Sequence, residues 1–534
     1  MKKRMLAAYS VVIMCFSLLI VRLSLLSAAE PLAMAQQQQS AAVITVAETR
    51  GVIYDRYLRP LTGIMSKNIA AVLPNDRSAD AVMRATPIER RSQLSEMLRS
   101  FKPFLWEVES DSIYAKGVEV FKIPQRYMSE QPALHIIGQL DSATGKGASG
   151  LEKAYDEVLG AMGGTLKMRY STDALQRGIA ADAPKIENSG YDSKAGIVLT
   201  IDRDIQLIAE RAAKKLKKGA VVIMEPYTGD ILACASYPVF DPLSPADSMQ
   251  NEDKPFFNRA FAAYSVGSTF KLLTAGCALE SGEDIDRRYT CEGAIEVKDQ
   301  IFRCHNLAGH GDIDMTEAMK RSCNPYFISL ALETGGQTLL YKARQLGFGT
   351  AFEAAPGFST ASGTLPSQNE LIAPAAVANF GFGQGILTAT PIQVANLVSA
   401  VANGGGAVEP RLVAGSTSDG EHIENQTAVY SAKRVFLPSA AQKVKEMMIA
   451  VVNEGSGKNA MPKHGGAGGK TASAQSGQFV EGKETVHAWF SGFYPAEKPR
   501  YTIVVLAEGG ESGSDAACPV FAEIADGLWE LGER

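Results

Sequence analysis

Ser268 and Lys271 put a hydroxyl and an amine three residues apart in a run that is otherwise small or apolar, "YSVGSTFKLL" (264–273). On a helix, that spacing places both on one face. A serine is a poor nucleophile until a neighbour takes its proton. The chain has only six histidines, and none lies near Ser268 in sequence. Lys271 can serve instead if its amine is neutral, and burial among Phe270, Leu272, Leu273 and Ala275 would lower its pKa. A helix beginning after "YSVG" would also offer backbone N–H groups and a dipole that favour a developing negative charge. Alone, S-x-x-K is common by chance, and a solvated helix start is its plainer reading.

Two further clusters could join this pair. In "MKRSCNPYF" (319–327), Ser322 could relay a proton and Asn324 could orient Lys271 or a substrate amide. Ordinary helix C-terminal capping is the plainer reading of that segment. In "HGGAGGKTASAQSG" (464–477), Lys470 and Thr471 could hold a carboxylate, and the small residues Ala472 and Ser473 would let a substrate backbone lie along a strand. The same stretch fails as a nucleotide loop. Its first glycine position is occupied by His464, and a strand rather than a helix follows Lys470.

The elements that must carry these residues follow from the apolar pattern. "GIVLTIDRDIQLIAERAAKKL" predicts a strand and then a helix capped by Asp202 or Asp204. Ala220–Met224 and Ile231–Ala235, separated by "PYTGD", predict an antiparallel hairpin. Helices are predicted near 268–281, 315–335, 337–346, 390–402, 439–453 and 518–531. Strands are predicted at "KTASAQSG", "HAWFSGFYP" and "RYTIVVLAEG". Strands, helices, strands and a last helix imply an α+β domain over 193–534, an antiparallel sheet flanked by helices. Residues 41–192 read as a mixed N-terminal domain. There "AAVITVAETRGVIYDR" suggests strands joined by a turn, and "IERRSQLSEMLRSF" and "LEKAYDEVLGAM" suggest amphipathic helices.

Bulk properties narrow the function. With 534 residues, 46% apolar and 21% charged, the chain is globular and too long for one ordinary core. A net charge of −5 gives no basic footprint for nucleic acid. "MKKR" followed by an apolar run to about Ala29, interrupted by Arg22, is long enough to span a bilayer. The three basic residues would keep the N-terminus in the cytoplasm and export the remainder. "AMA" at 33–35 offers a signal-peptidase alternative, but the apolar run is longer than a usual signal core. Residues 1–40 are therefore read as stub, uncleaved anchor and polar linker, with the Gln36–Gln39 tract leaving the membrane.

The three clusters in order, S-x-x-K, S-x-N and K-T-small, resemble the motif set of penicillin-binding proteins and serine β-lactamases. "RGVIYDR" (50–56), "GASGLEKAYDEVLGAMGG" (147–164), "GHGDIDMTEAMKRSCN", "GFGQGILTATPIQVAN" and "ANGGGAVEPRLV" are similar to boxes of class B penicillin-binding proteins, the monofunctional peptidoglycan D,D-transpeptidases. The resemblance covers the chain from the anchor almost to its end. It implies that Ser268 attacks the penultimate D-Ala carbonyl of a stem peptide and that Lys271 takes its proton. Ser322 would pass a proton to the leaving nitrogen, and Asn324 would bind the substrate amide. Lys470 and Thr471 would bind the terminal carboxylate, and the backbone N–H groups of Ser268 and Ser473 would form the oxyanion hole. It further implies a non-catalytic pedestal over 41–192, covalent inhibition by β-lactams, no cofactor, and a multi-span lipid-II polymerase as partner.

Two positions depart from that family. Ala472 stands where glycine is usual, and its methyl is expected to narrow access for donor or β-lactam. Val266 stands where many members have proline. Both leave the reacting groups in place. A β-lactam sensor or a silent scaffold is the competing reading; a sensor would carry more spans, and a silent scaffold would be expected to lose Ser268 or Lys271. Asp55 and Arg56 read as a structural ion pair, and Trp489 and Tyr494 as core or cleft wall. Cys291, Cys304, His305 and His310 lie close in sequence, but their spacing matches no common zinc pattern, so no metal is expected. A Cys291–Cys304 disulfide or buried free thiols remain open for them.

Overall fold

The computed structural model describes residues 2–27, 41–173, 175–179, 183–480 and 482–533. The Gln36–Gln39 tract and Ala33–Ala35 lie outside the described residues. Helix α1, Lys2–Ser27, contains the apolar stretch Lys3–Leu25, whose 23 residues make it a candidate membrane span. At 1.5 Å per residue it reaches about 35 Å, enough for a hydrocarbon core of about 30 Å.

The chain divides into two compact units. One comprises residues 1–50, 65–126 and 161–193, the other residues 51–64, 127–160 and 194–534. The 41–192 stretch is therefore shared between them.

In the first unit, Met65–Val72 is the centre of a three-stranded antiparallel sheet, between Phe104–Val108 and Val118–Gln125. Helices Asp76–Arg84 and Arg91–Arg99 supply Val82 and Leu94 to a core with Trp106. Ala41–Glu48 pairs with Thr165–Ser171, which in turn pairs with Lys185–Ser189. The strand alternation expected over 41–56 is present, but its two strands do not pair with each other. Val52–Tyr54, in the second unit, pairs in parallel with Gly196–Leu199. Such a long-range pairing leaves no local signature.

The second unit is built on one sheet. The predicted hairpin forms as β1 (Gly219–Met224) and β2 (Ile231–Tyr237). With β3 (Gly468–Val480), β4 (Lys483–Tyr494) and β5 (Tyr501–Glu508) it makes a five-stranded antiparallel sheet of order β2-β1-β5-β4-β3. Alternation sends Val222, Met224, Val504, Leu506 and Trp489 to one face, and Val221, Ile223, Ile503, Val505 and Phe490 to the other. The second set packs on helices α2 (Arg203–Ala213) and α8 (Cys518–Gly532). Asp202 caps α2 by accepting from the Asp204 N–H at 3.0 Å.

The first set packs on the helical core formed by α3 (Lys271–Glu280), α5 (Asn324–Thr334), α6 (Pro391–Ala402) and α7 (Pro438–Glu454). Every residue of α6 is buried, and its polar side chains Gln393, Asn396 and Ser399 are each hydrogen-bonded. Helices cover both faces of the sheet.

Two local expectations change. The helix expected over 315–335 is broken into α4 (Met315–Lys320) and α5. Pro325 has no N–H to bond the Arg321 carbonyl and its ring would clash with it in a continuous helix, and Ser322 takes a left-handed φ of 51°. Asp55 pairs with Arg59 at 2.6 Å rather than with Arg56. Its other oxygen accepts the backbone N–H groups of Tyr57 and Arg59, each at 2.9 Å, so the turn itself selects the partner.

Candidate active site

Ser268 lies in a tight turn, Gly267–Phe270, that leads directly into α3. Gly267 has φ 61°, and a Cβ there would come within 3.0 Å of the Ala474 methyl and 3.4 Å of the Ala472 methyl. Glycine thus satisfies both the backbone conformation and the close approach of this turn to β3. Trp489, fully buried on β4, donates its indole N–H to the Ser265 carbonyl at 3.0 Å. The Gly267 N–H donates to the Gly383 carbonyl at 2.9 Å. The serine is thereby fixed from both the sheet and the 383 loop. It is half-buried and lines a cleft of about 300 Å3 together with Ser322, Asn324, Thr471, Ala472 and Ser473.

Lys271 begins α3 and is fully buried. Its Nζ donates to the Ser322 carbonyl at 2.8 Å, to Ser322 Oγ at 3.2 Å and to Asn324 Oδ1 at 2.7 Å. These contacts use all three protons of an ammonium. Burial pushes the amine down to about 7, against a smaller opposing pull from Cys323 and Cys304. Near neutrality a large fraction of the amine is therefore unprotonated; it then keeps two N–H groups for the Ser322 carbonyl and Asn324 Oδ1, and its lone pair can accept a proton. Ser268 stands one turn before it, and its hydroxyl makes no hydrogen bond among the described residues. Such contacts commonly tighten only when substrate binds.

The helix break explains how Ser322 and Asn324 reach the site. A continuous helix would spread residues 321–324 around its surface. The left-handed Ser322 and the extended Cys323 instead turn the 322 hydroxyl and the 324 carboxamide onto Lys271. Asn324 Nδ2 also donates to the Arg303 carbonyl at 3.2 Å, which fixes its oxygen towards the amine.

Lys470 reaches the same hydroxyl from β3. Its Nζ is 3.0 Å from Ser322 Oγ and 2.8 Å from the Thr471 carbonyl. Burial, and then the charge of Lys271, hold its pKa well below that of an ordinary lysine. Two ammoniums sharing one hydroxyl disfavour each other, so the lysine–serine–lysine chain has room for fewer protons than it has sites. Thr471 Oγ1 is 2.6 Å from Ser456 Oγ.

Along β3 the faces alternate. Lys470, Ala472 and Ala474 point inwards and are buried, while Ser473 is exposed. The Ala472 methyl therefore lies against Gly267, on the face opposite to Thr471 and Ser473. This changes the expectation that it narrows the path of a substrate: the methyl fills the space between strand and turn. Trp489 and Tyr494 are both core residues.

The structure thus brings Ser268, Lys271, Ser322, Asn324, Lys470, Thr471 and Ser473 to one cleft. It adds residues that the sequence did not single out, among them Ser456, Gln384, Arg321 and the Ser512–Ser514 loop. The Gly513 N–H donates to Ser473 Oγ at 3.2 Å, and a Cβ on Gly513 would collide with the Trp489 and Ala472 backbones at 2.4 and 2.7 Å. Arg321 adjoins Ser322 and Gln384 falls in "GFGQGILTATPIQVAN", whereas Ser456 and the 512–514 segment lie on separate loops. Only the serine-rich composition of "GESGSDAA" could have drawn attention to one of them.

Comparison with known proteins bears on this arrangement. The family model for the penicillin-binding protein transpeptidase domain matches residues 219–526. The chain is 30% identical over 496 residues to stage V sporulation protein D of Bacillus subtilis, covering 88% of this chain and 73% of that protein. It is also 30% identical over 408 residues to the peptidoglycan D,D-transpeptidase PbpA of Mycobacterium tuberculosis, covering 68% and 81%. Among solved structures, the D,D-transpeptidase domain of a peptidoglycan glycosyltransferase from Eggerthella lenta superposes with a TM-score of 0.65 at 22% identity, over 91% of this chain and 99% of that one.

Proposed function

The chain belongs to the penicillin-binding protein transpeptidase family, and we propose that it cross-links peptidoglycan stem peptides through an acyl-enzyme on Ser268. One observation carries the assignment of residues. Two fully buried lysines from different elements meet on Ser322 Oγ, beside the turn that presents Ser268.

In this reading the neutral Lys271 amine takes the Ser268 proton as Oγ attacks the penultimate D-Ala carbonyl. The backbone N–H groups of Ser268 and Ser473 receive the developing oxyanion; one such donor is commonly worth about 10²–10³ in rate. The proton then passes through Ser322 to the nitrogen of the departing D-Ala. Lys470 and Thr471 hold the terminal carboxylate, whose charge would stabilise a protonated Lys470. Asn324 orients both Lys271 and the donor amide. An amine of a neighbouring strand then displaces Ser268 and completes the cross-link. The cleaved peptide bond supplies the free energy, so no nucleotide is required. β-Lactams would acylate the same serine; the solved structure of penicillin-binding protein 3 from Mycobacterium tuberculosis, which shares the fold at TM-score 0.66, is a complex with aztreonam.

Helix α1 would anchor the chain with its basic N-terminus in the cytoplasm and both units outside, where a multi-span lipid-II polymerase could supply glycan. The test is D-Ala release from polymerised lipid II by the full chain in detergent. The wild type should release D-Ala and form cross-linked muropeptides, and Ser268→Ala should do neither. Release by Ser268→Ala at the wild-type rate would overturn the assignment.

A further inference from the structure

A second hollow opens beside the catalytic cleft and has no part in the chemistry above. It encloses about 380 Å3 and meets the cleft at Gln384, which lines both. The helix Pro374–Gly381 forms one wall, with its cap Ala373, Ala376 and Phe380 along a single face. Pro366 and Leu387, both buried, complete an apolar floor with Phe380, and Ile386 stands 48% exposed at the edge. The loop after the helix ties this groove to the nucleophile. Gly383 has φ 84°, and a Cβ there would lie 1.9 Å from the Gly267 carbonyl oxygen, so only glycine lets the loop pass this close. Beyond it, Thr388–Ala389 pairs antiparallel with Tyr264–Ser265. The Gln384 end of the groove is therefore fixed beside Ser268.

The polar groups of the groove are carboxamides. Asn369, Asn379 and Gln384 line it, and none of their side chains makes a hydrogen bond among the described residues. Each offers a donor and an acceptor, as a peptide unit does. Unpaired carboxamides above an apolar floor suit an extended peptide, with the amides on its backbone and the floor under an aliphatic side chain. An eight-residue helix spans about 12 Å, the length of three or four extended residues at about 3.3 Å each. We propose that this groove holds the acceptor strand, a stem peptide bearing an aliphatic primary amine, and delivers that amine past Gln384 to the acylated Ser268; the inference rests on the transpeptidase reading.

The two hollows differ in charge as two unlike substrates require. The donor ends in a carboxylate, and the cleft meets it with Lys470. No basic residue lines the groove among the described residues, and its one ionisable side chain is Glu370. Glu370 Oε2 accepts the Ser367 N–H at 2.7 Å, which holds the carboxyl below its usual range. An anionic groove attracts a peptide that arrives with an ammonium and disfavours one that ends in a carboxylate. At Ser268 the amine reacts in its neutral form. Its lone pair forms the C–N bond as the bond from the acyl carbon to Ser268 Oγ breaks. The surplus proton on nitrogen returns to Oγ through Lys271, so both residues end as they began. Water reaching the same carbonyl would hydrolyse the acyl-enzyme instead, and an amine held in place outcompetes it.

The partition of the acyl-enzyme between amine and water tests this, because it is decided after acylation and does not depend on the acylation rate. The full chain in detergent, given polymerised lipid II, should yield cross-linked dimer from the amine and hydrolysed monomer from water. Ala376→Phe fills the groove and should lower the ratio of dimer to hydrolysed monomer at least about tenfold. Asn379→Ala removes one carboxamide and should lower it about three- to tenfold, the usual worth of one hydrogen bond. The smaller change still reports if the larger one disturbs the fold. A purely structural role would reduce both products together and leave the ratio alone. Wild-type ratios in both variants would overturn the inference and leave the transpeptidase reading standing. Absence of any acyl-enzyme in the wild type would overturn that reading and this inference with it.

Discussion

The tripeptide Ser322–Asn324 separates two buried polar clusters of opposite character. On its cleft side, Lys271 and Lys470 converge on Ser322 and Asn324, and every contact is a hydrogen bond from a strong donor. On its inner side, Cys323 faces two further thiols and an imidazole, groups that hydrogen-bond only weakly to one another. The first cluster is satisfied by the protein alone and spends its burial on lowering amine pKa values. The second is a close-packed group of soft atoms, all within 4.8 Å of one another. One left-handed residue, Ser322, lets a single backbone segment serve both.

This contrast can be broken from either side. The largest expected effect after Ser268→Ala belongs to Lys271→Met, which keeps the apolar stem and removes the base. Acylation by a fluorescent penicillin should fall by about 10²–10⁴. In the wild type the same rate should rise with pH and level off above about 7, because the amine accepts a proton only when neutral and its pKa lies there. Below that value each pH unit should cost about tenfold, since the neutral fraction falls by that factor. Stopped-flow labelling between about pH 5.5 and 8.5, about one and a half units to either side of that pKa, checks this, and Lys271→Met should flatten the limb. A wild-type rate that falls as pH rises through 7 would contradict the assignment.

The smallest effect is expected at Ala472→Gly. The methyl is buried against Gly267 rather than facing the donor, so labelling should stay within about threefold of wild type, well under the cost of losing an oxyanion donor. Stability should fall by about 0.5–1 kcal/mol, the usual cost of glycine for alanine inside a strand. Urea denaturation alongside labelling separates the two. A tenfold gain in labelling would restore the view that this methyl guards the cleft.

Where the chemistry depends on residue type and short spacing, the sequence was readable. Ser268 with Lys271, Ser322 with Asn324, and Lys470 with Thr471 each sit within four residues and project from elements whose periodicity is local. The sheet was readable for the same reason: β1, β2 and β5 are continuous apolar runs, as strands covered on both faces must be. What escaped was set by contacts distant in sequence. The break between α4 and α5 had its signal in Pro325 but competes with a strong helical pattern on either side. Ser456 reaches Thr471 from beyond the end of α7, and Val52–Tyr54 finds its partner in Gly196–Leu199. The cysteine cluster was half visible. Cys323 belongs to it only because α4 stops where it does, and His310 displaces His305 because of the pairing of 289–291 with 311–313.

The central claim is that Ser268, served by a buried neutral lysine, becomes the acylated residue. Its most direct test is intact-mass analysis of the full chain after exposure to a β-lactam, followed by peptide mapping. The account predicts a single adduct on the peptide bearing Ser268, absent in Ser268→Ala. An adduct placed on Ser322, Ser473 or any cysteine, or none at all in folded protein, would contradict it.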